Sequence, residues 1–258
     1  MKKTPLVIAT GFAILAVLVV IGVTLLRNHI NDSWFDSDTE ELRQLPANLA
    51  VLRPTHSPND YAKIRHYHEN DSLARTLGRN VTLRQVIGEA YDCDPSRVIL
   101  PPDAAQGRFD FLVTMSGDAR EHLRNLIQTE FHYTARRETQ NTDVFILKIS
   151  DPALPGLVVN SANQSEDISY KDGKLYFIHE PISAIVNGLS LGLNTPVLDQ
   201  TGLTNAYDFS VSWSMDVEKR MENGQFNLAG TRKVLAGWGL ALESSNVPMD
   251  MYIVTHTP

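Results

Sequence analysis

The residues best suited to chemistry in this chain are two aspartates at equivalent positions, each between two aromatic side chains. They are Asp110 in Phe109-Asp110-Phe111 and Asp208 in Tyr207-Asp208-Phe209. Two carboxylates that approach each other can divide the roles of general acid and general base. Aspartates on strand surfaces also cap neighbouring loops, and this structural role is the interpretation that we favour for both residues.

A second polar group, Asp199-Gln200-Thr201-Gly202-Leu203, follows a short apolar run. It superficially resembles the Asp-Thr-Gly loop of aspartic proteases. Gln200 interrupts that pattern, however, and residues 100–102 supply no second aspartate at the equivalent place. We therefore interpret the group as a turn in which Asp199 accepts hydrogen bonds and Gly202 takes a positive φ.

Other signatures of catalysis are weak in this sequence. His66 and His68 would share one side of a strand and could hold a metal. We favour surface histidines within a polar loop, residues 58–71. Cys93 is the only cysteine, which excludes an intramolecular disulfide and a cysteine-based zinc site. Gly-x-Ser-x-Gly and nucleotide-binding glycine loops do not occur. We predict no catalytic residue, no metal and no cofactor.

The elements that carry these residues recur about a hundred positions apart. One helical face consists of Leu83, Val86, Ile87 and Ala90, and the same spacing returns as Ile182, Ile185, Val186 and Leu189. The two aromatic–Asp–Phe strands follow these helices at nearly the same distance. Each half thus has the order strand–helix–strand–strand–helix–strand–strand, which is typical of an ancient duplication.

The predicted fold class is α+β: an N-terminal transmembrane helix followed by two similar repeats, with helices packed on mostly antiparallel sheet. Thr82 and Asp118 are predicted to cap helices. We predict two strands at 133–137 and 144–149, joined through residues 140–143, and a closing strand at 251–255. The predicted boundaries are 1–28 for a signal anchor, 29–48 for an acidic linker, 49–150 for the first repeat, 151–172 for a linker and 173–258 for the second repeat.

The N-terminus has the features of an uncleaved membrane anchor, which we favour over the alternative of a cleaved signal peptide. Residues 5–26 carry no charge, and as a helix they would span roughly 33 Å, enough for a hydrocarbon core of about 30 Å. Lys2 and Lys3 precede this run and acidic residues follow it, so we expect a single pass through the inner membrane, with a cytoplasmic N-terminus and a periplasmic body. The net charge is −7, and an acidic body argues against nucleic-acid binding.

Several motifs together resemble a "soil-associated" family of exported bacterial proteins. In the second half they are Asp199-x-Thr201-Gly202-Leu203, Tyr207-Asp208-Phe209 and Gly239-Leu240-x-Leu242-Glu243; in the first half they are Val81-Thr82-Leu83-Arg84, Arg108-Phe109-Asp110 and Arg137-Glu138-Thr139. The resemblance covers roughly residues 49–258. It departs from the family pattern in the opening strand and at Asn246-Val247-Pro248, where the family has a more basic turn before the last strand. The helix–strand–strand units also look distantly like the short N-terminal domains of secretins and TonB-dependent receptors.

This resemblance implies an exported role and supplies no catalytic residue, because the family has no established activity. Some of its relatives join the module to membrane-bound sensor peptidases, which implies sensing or interaction by association. Our leading hypothesis is a membrane-anchored extracytoplasmic interaction or sensor module without catalysis, whose envelope partner could add a strand to an exposed sheet edge. The alternative is an exported envelope hydrolase with a site assembled from Asp110, Asp208 and His179. A purely structural envelope protein is a third hypothesis.

Overall fold

The computed structural model describes residues 32–57, 62–69, 72–161, 167–172, 174–212 and 226–257. The predicted membrane anchor, residues 1–28, lies outside the described residues. Among the residues that are described, no helix is both long and apolar enough to cross a membrane.

The described residues form a mixed α+β fold, as the sequence predicts. The helices are α1 (Thr39–Gln44), α2 (Leu83–Tyr91), α3 (Ala119–Phe131), α4 (Ile182–Leu193) and α5 (Leu228–Gly237), with 3-10 helices at Asp32–Asp36 and Pro95–Arg97. The strands are β1 (Ala50–Pro54), β2 (Lys63–Glu69), β3 (Ser72–Thr82), β4 (Val98–Ile99), β5 (Arg108–Val113), β6 (Tyr133–Ile149), β7 (Val158–Val159), β8 (Asp167–Lys171), β9 (Lys174–Pro181), β10 (Val197–Asp199), β11 (Ala206–Ser212) and β12 (Leu240–His256).

Local sequence accounts for where the predicted helices begin. The Thr82 hydroxyl accepts from the Gln85 backbone N–H at 3.3 Å, and the Gln85 side chain accepts from the Thr82 N–H at 2.8 Å. Asp118 accepts from the Arg120 N–H at the start of α3. The cap of α2 is thus reciprocal and the cap of α3 is a single hydrogen bond, and both satisfy N–H donors that the first helical turn leaves free. Both predicted caps are confirmed.

The chain forms two compact units, and the first contains the first sheet, with strand order β1-β5-β3-β2. All of its neighbouring strands are antiparallel. Helix α3 buries Leu123 and Ile127, and Phe131 at its end meets Phe109 of β5 edge-to-face at 5.1 Å. A β-carbon on Gly78 would lie 2.1 Å from the Phe111 ring, so β3 needs glycine where this ring packs.

Residues 32–45 contribute to the core of the first unit, which differs from the expectation of an acidic linker at 29–48. Phe35 and Leu42 are 1% and 0% exposed and pack with Val51, Leu77 and Leu112. The reason for the difference is that the four apolar residues of this acidic stretch, Trp34, Phe35, Leu42 and Leu45, give too little periodicity to predict burial. The predicted loop at 58–71 differs too, because β2 occupies Lys63–Glu69.

The second unit contains two sheets, and the second sheet has the order β10-β6-β12-β4. Strands β6 and β12 pair antiparallel over their full lengths, from Leu240 opposite Ile149 to His256 opposite Tyr133. The predicted break at 140–143 is therefore wrong. Residues 133–137, 144–149 and 251–255 are strand residues as predicted, but they belong to the longer strands β6 and β12. Continuous pairing with an equally long partner extends β6 through polar residues that, taken alone, are typical of a turn.

The outer strands of this second sheet are exchanged between the two halves of the sequence. β4, from the first half, runs parallel to β12, with Val98 opposite Tyr252. β10, from the second half, runs parallel to β6, with Val197 opposite Phe145. As a result, the compact units differ from the predicted halves 49–150 and 173–258: Ile87–Ala104 and the chain from Tyr133 onward belong to the second unit.

The third sheet has the order β7-β11-β9-β8 and lies in the second unit. One side of it carries the core of this unit, where Tyr207 and Phe209 of β11 pack with Ile185 and Leu189 of α4 and with Leu235 of α5. All of its neighbouring strands are antiparallel. This order corresponds strand by strand to β1-β5-β3-β2 of the first sheet.

Candidate functional site

Asp110 binds the backbone of the strand beside it. Its Oδ1 accepts a hydrogen bond from the Asn80 N–H at 2.9 Å, and the residue is only 2% exposed. Asn80 has a φ of +54°, and the pairing of β3 with β5 gains one residue between Gly78 and Val81. The carboxylate thus satisfies the N–H of a bulge residue whose left-handed conformation prevents regular pairing.

Asp208 makes the same contact in the third sheet. Its Oδ1 accepts from the His179 N–H at 2.8 Å and from the Asn160 side-chain amide at 2.8 Å. His179 has a φ of +58°, and the β9–β11 register shifts between Tyr207 and Phe209. Asp208 and His179 are therefore brought together, but through the histidine backbone and not through its imidazole.

An arginine extends the environment of Asp110. Arg53 of β1 lies 3.8 Å from the Asp110 carboxylate. It also pairs with Asp32, and in that pair the Arg53 side chain is largely buried whereas the Asp32 side chain is exposed. Its guanidinium stands over the Phe35 ring at 4.6 Å. Hydrogen bonds from Arg53 and then from His56 hold the pKa of Asp32 below its usual range. This cluster attaches residues 32–36 to the first sheet.

The Asp199 group forms the turn that the sequence predicts. Asp199 Oδ1 accepts from the Thr201 N–H at 2.8 Å and from the Thr201 hydroxyl at 2.7 Å. The Thr201 hydroxyl in turn accepts from the Leu203 N–H at 3.2 Å, and Gly202 has a φ of +70°. These local bonds close an Asx-type turn after β10 and leave no second carboxylate beside Asp199 in the turn.

The aromatic residues of the two motifs are core residues. Phe109, Phe111, Tyr207 and Phe209 are all buried. In the second unit Phe209 stacks on Phe177 at 4.5 Å and meets Trp238 edge-to-face at 5.0 Å. The motif strands therefore alternate between an aromatic side that builds the core and an aspartate side that binds the bulge.

A groove of about 770 Å³ lies in the first unit, beside the start of α3. Its lining includes Arg75, Thr114, Ser116 and Asp118. Arg75 already donates to the carbonyl oxygens of Leu42 and Leu45, and Asp118 caps α3, so two of its charged groups have structural partners. This arrangement gives the groove polarity but no recognisable reactive group.

The histidine pair and the cysteine show no reactive geometry. His66 and His68 lie on β2 with ring centroids 6.0 Å apart, and among the described residues no third histidine, cysteine or carboxylate joins them in a metal-ligating group. Burial raises the pKa of the Cys93 thiol to about 12, so the thiolate that reactive cysteines need is scarce at neutral pH.

Sequence reasoning missed the partners of the motif carboxylates. Asn80, Asn160, Arg53 and the backbone of His179 became visible only with the strand registers. One signal was available in the sequence, namely a similar spacing. Asn80 stands 30 positions before Asp110, and His179 stands 29 positions before Asp208. Asparagine, aspartate and histidine are also the non-glycine residues enriched in the left-handed region.

Comparison with known proteins assigns this chain to a family. The profile of the DUF3738 family, described as proteins of unknown function, matches residues 84–257, about two thirds of the chain. The chain belongs to the DUF3738 family. No curated protein and no solved structure matches it. The matched region includes Asp110, the Asp199 turn and Asp208 with its bulge, whereas Asn80 and Arg53, the partners of Asp110, precede it.

Proposed function

We propose that this DUF3738 protein is a membrane-anchored extracytoplasmic module that works by interaction or sensing and has no catalytic activity. The observation that carries the proposal is that its motif carboxylates are hydrogen-bonded to the protein backbone. Asp110, Asp199 and Asp208 each accept a hydrogen bond from a backbone N–H of the same unit. Each of these bonds fixes a bulge or a turn, which gives every one of the three aspartates a structural role that accounts for its place in the motif.

The duplication is part of this proposal. It is supported by the matching strand orders of the first and third sheets, and by the same aspartate-to-bulge contact in each. It is also supported by the reciprocal pairing of β4 with β12 and of β10 with β6. Repeats that exchange strands favour a scaffold with two related surfaces.

The compartment is likewise proposed. We place residues 5–26 in the inner membrane, the N-terminus in the cytoplasm and the body in the periplasm, on the basis of the uncharged run and the lysines before it. The resemblance to exported "soil-associated" proteins, and the more distant likeness to secretin and TonB-receptor domains, support the same location. The partner would be an envelope protein. The acidic net charge of the chain argues against a nucleic acid as the partner.

The alternative, an envelope hydrolase, rests on one observation. His179 lies beside Asp208, and its buried Nδ1 has no hydrogen-bond partner among the described residues. A base needs its imidazole directed at a substrate, whereas the contact of Asp208 uses the His179 backbone.

One experiment separates the two functions. The full chain, reconstituted in nanodiscs, is incubated with peptidoglycan fragments, peptides, esters and glycosides, beside Asp208→Asn and a matched Asp143→Asn variant. We expect no turnover above background from any of the three proteins. Turnover that Asp208→Asn abolishes in a protein with unchanged circular dichroism, while Asp143→Asn retains it, would refute the proposal.

A further inference from the structure

We propose that the outer side of the third sheet binds an acidic amphipathic segment of a partner protein. This inference rests on the duplication and on the interaction role proposed above, and it names the kind of partner. The surface, called here the open face, is the side of the third sheet opposite to Phe177 and Phe209. It comprises Val158, Ser169, Lys171, Lys174, Tyr176, Ile178, Asp208 and Ser210.

Strand registers define the open face. Tyr176 of β9 lies opposite Ser169 of β8 and opposite Ser210 of β11, and directly opposed residues point to the same side of a sheet. The adjacent Phe177 points to the other side, into the core. Val158 is 63% exposed, and Tyr176 and Ile178 are half-buried, so apolar surface remains accessible on this side.

The first sheet shows what covers the corresponding side. There Leu77 and Leu112 lie opposite each other, at the places that Tyr176 and Ser210 take in the third sheet. Residues 32–45 cover them by inserting Phe35 and Leu42. Arg75 donates to two carbonyl groups of that segment, and Arg79 and Lys63 pair with Asp36. The ligand of this face is thus an acidic segment with an aromatic and an aliphatic anchor.

Charge at one end of the open face favours a ligand of the same kind. Lys171 and Lys174 lie opposite each other at one end of it, both exposed, in a chain whose net charge is −7. Lys174 precedes Tyr176 by two residues, as Arg75 precedes Leu77 in the first sheet. Residues 32–45 hold five acidic residues and one basic residue, so a segment of that composition complements the two lysines.

The probe for this proposal is a synthetic peptide with the sequence of residues 32–45, carrying a benzophenone amino acid at the position of Phe35. It is titrated against the full chain in nanodiscs at low and high salt, and the cross-linked residues are mapped by mass spectrometry. We expect saturable, salt-sensitive binding, cross-links within β8, β9 or β11, and no binding of a scrambled peptide.

Charge reversals supply the matched comparison. Lys171→Glu/Lys174→Glu should weaken peptide binding by about tenfold or more, whereas Lys148→Glu/Lys233→Glu, equal in charge but away from the open face, should change it less than about twofold. Tyr176→Ser tests the apolar part and should also weaken binding. All variants are first checked for an unchanged unfolding midpoint.

Four results would overturn the inference. Three are the absence of saturable binding, equal weakening by the two lysine pairs, and cross-links confined to β3 or β5, which would mean exchange with the chain's own segment. The fourth is self-association in sedimentation that Lys171→Glu/Lys174→Glu abolishes, because the occupant of the open face would then be a second copy of this chain. None of these results produces substrate turnover, so failure here is distinguishable from failure of the non-catalytic proposal.

Discussion

Asp110 and Asp208 stabilise the backbone of a neighbouring strand at two places in this chain. Each accepts the N–H of a residue with φ near +55°, where the ladder would otherwise leave that donor unpaired. The environments differ, since Asp110 is buried beside Arg53 while Asp208 is partly exposed and also binds Asn160. The stability contributed by the two carboxylates should differ accordingly.

The first prediction concerns Asp110→Ala. The substitution leaves the Asn80 N–H without its acceptor and removes a buried partner of Arg53, so it should lower the free energy of unfolding by about 3 kcal/mol. Asp208→Ala should cost about 1–2 kcal/mol, because solvent can replace part of the lost contact. Urea denaturation measures both, with Glu121→Ala on exposed α3 surface as the control. Equal costs for all three would contradict the assigned role of Asp110.

The second prediction separates the backbone of His179 from its imidazole. Glycine adopts a φ of +58° without steric cost, so His179→Gly should change the free energy of unfolding by less than about 1 kcal/mol. His179→Val should destabilise by about 1–2 kcal/mol, because a β-branched residue disfavours that conformation. If glycine proved as destabilising as valine in urea denaturation, the imidazole itself would be required.

At the scale of elements, residues 32–45 are the clearest departure from what the sequence predicts. They bring Phe35 and Leu42 into the core and join the sheet through Arg53, Arg75 and Arg79. The segment is therefore part of the folded body.

The third prediction is that this attachment weakens in acid. Hydrogen bonds from Arg53 and His56 lower the folded pKa of Asp32 below 3.8, so its contribution is present above about pH 4 and is lost as the pH falls through the folded value. Because Asp32 is largely exposed, the effect should stay below about 1 kcal/mol. Hydrogen-exchange mass spectrometry should show faster exchange in residues 38–45 at pH 3.5 than extrapolation from pH 6 predicts. Asp32→Asn should remove this excess, and an excess that persists in the variant would count against Asp32 as its source.

How much of the fold follows from the sequence depends on whether the signal is local. The helices α2, α3 and α4 were predictable from their apolar spacing, and α2 and α3 also from caps that lie within a few residues. The Asp199 turn is equally local. The continuous β6 was not, because residues 138–143 are ordered by β12 more than a hundred positions away. Arg53, Asn80 and Asn160 acquire their roles in the same way, through partners that are distant in sequence.

Pro248 illustrates the same limit within one element. With Asn246 and Val247 it suggests a turn before a short last strand, yet it lies opposite Asn141 inside the β6–β12 ladder. Among the described strands, only β4 flanks the other edge of β12, and it pairs at Tyr252 and Ile253. A residue without an N–H is tolerated where a strand edge has no neighbour to receive one.

At the scale of the whole molecule, the two halves of the sequence depend on each other through the second sheet. β4 pairs with β12 and β10 pairs with β6, so neither half completes this sheet with its own strands. A long strand with unpaired edges is prone to association, and a two-stranded pair is marginal in isolation. Exchange of strands therefore makes the described fold a property of the complete body.

The fourth prediction tests this dependence with fragments. Residues 32–150 and 151–258, expressed separately, should each lack cooperative unfolding and should aggregate, because β6 and β12 lose their ladder partner. Co-expression of the two fragments should recover a soluble complex with a single urea transition. A control fragment pair cut at 213–225, outside the described strands, should recover at least as well. A fragment 32–150 that unfolds cooperatively alone would contradict the exchange.

The central claim, that this DUF3738 protein acts by binding and not by catalysis, is tested most directly by photo-crosslinking in its native membranes. A benzophenone residue is placed in the full chain at Tyr176, on the open face, and in parallel at Lys233, on the exposed side of α5. We predict a defined adduct with one envelope protein at Tyr176 that Lys171→Glu/Lys174→Glu abolishes, with Asp143→Asn on β6 leaving its yield unchanged in a folded protein. A function in binding would be contradicted if a scan of exposed positions gave no defined adduct while Asp208→Asn removed a measurable turnover.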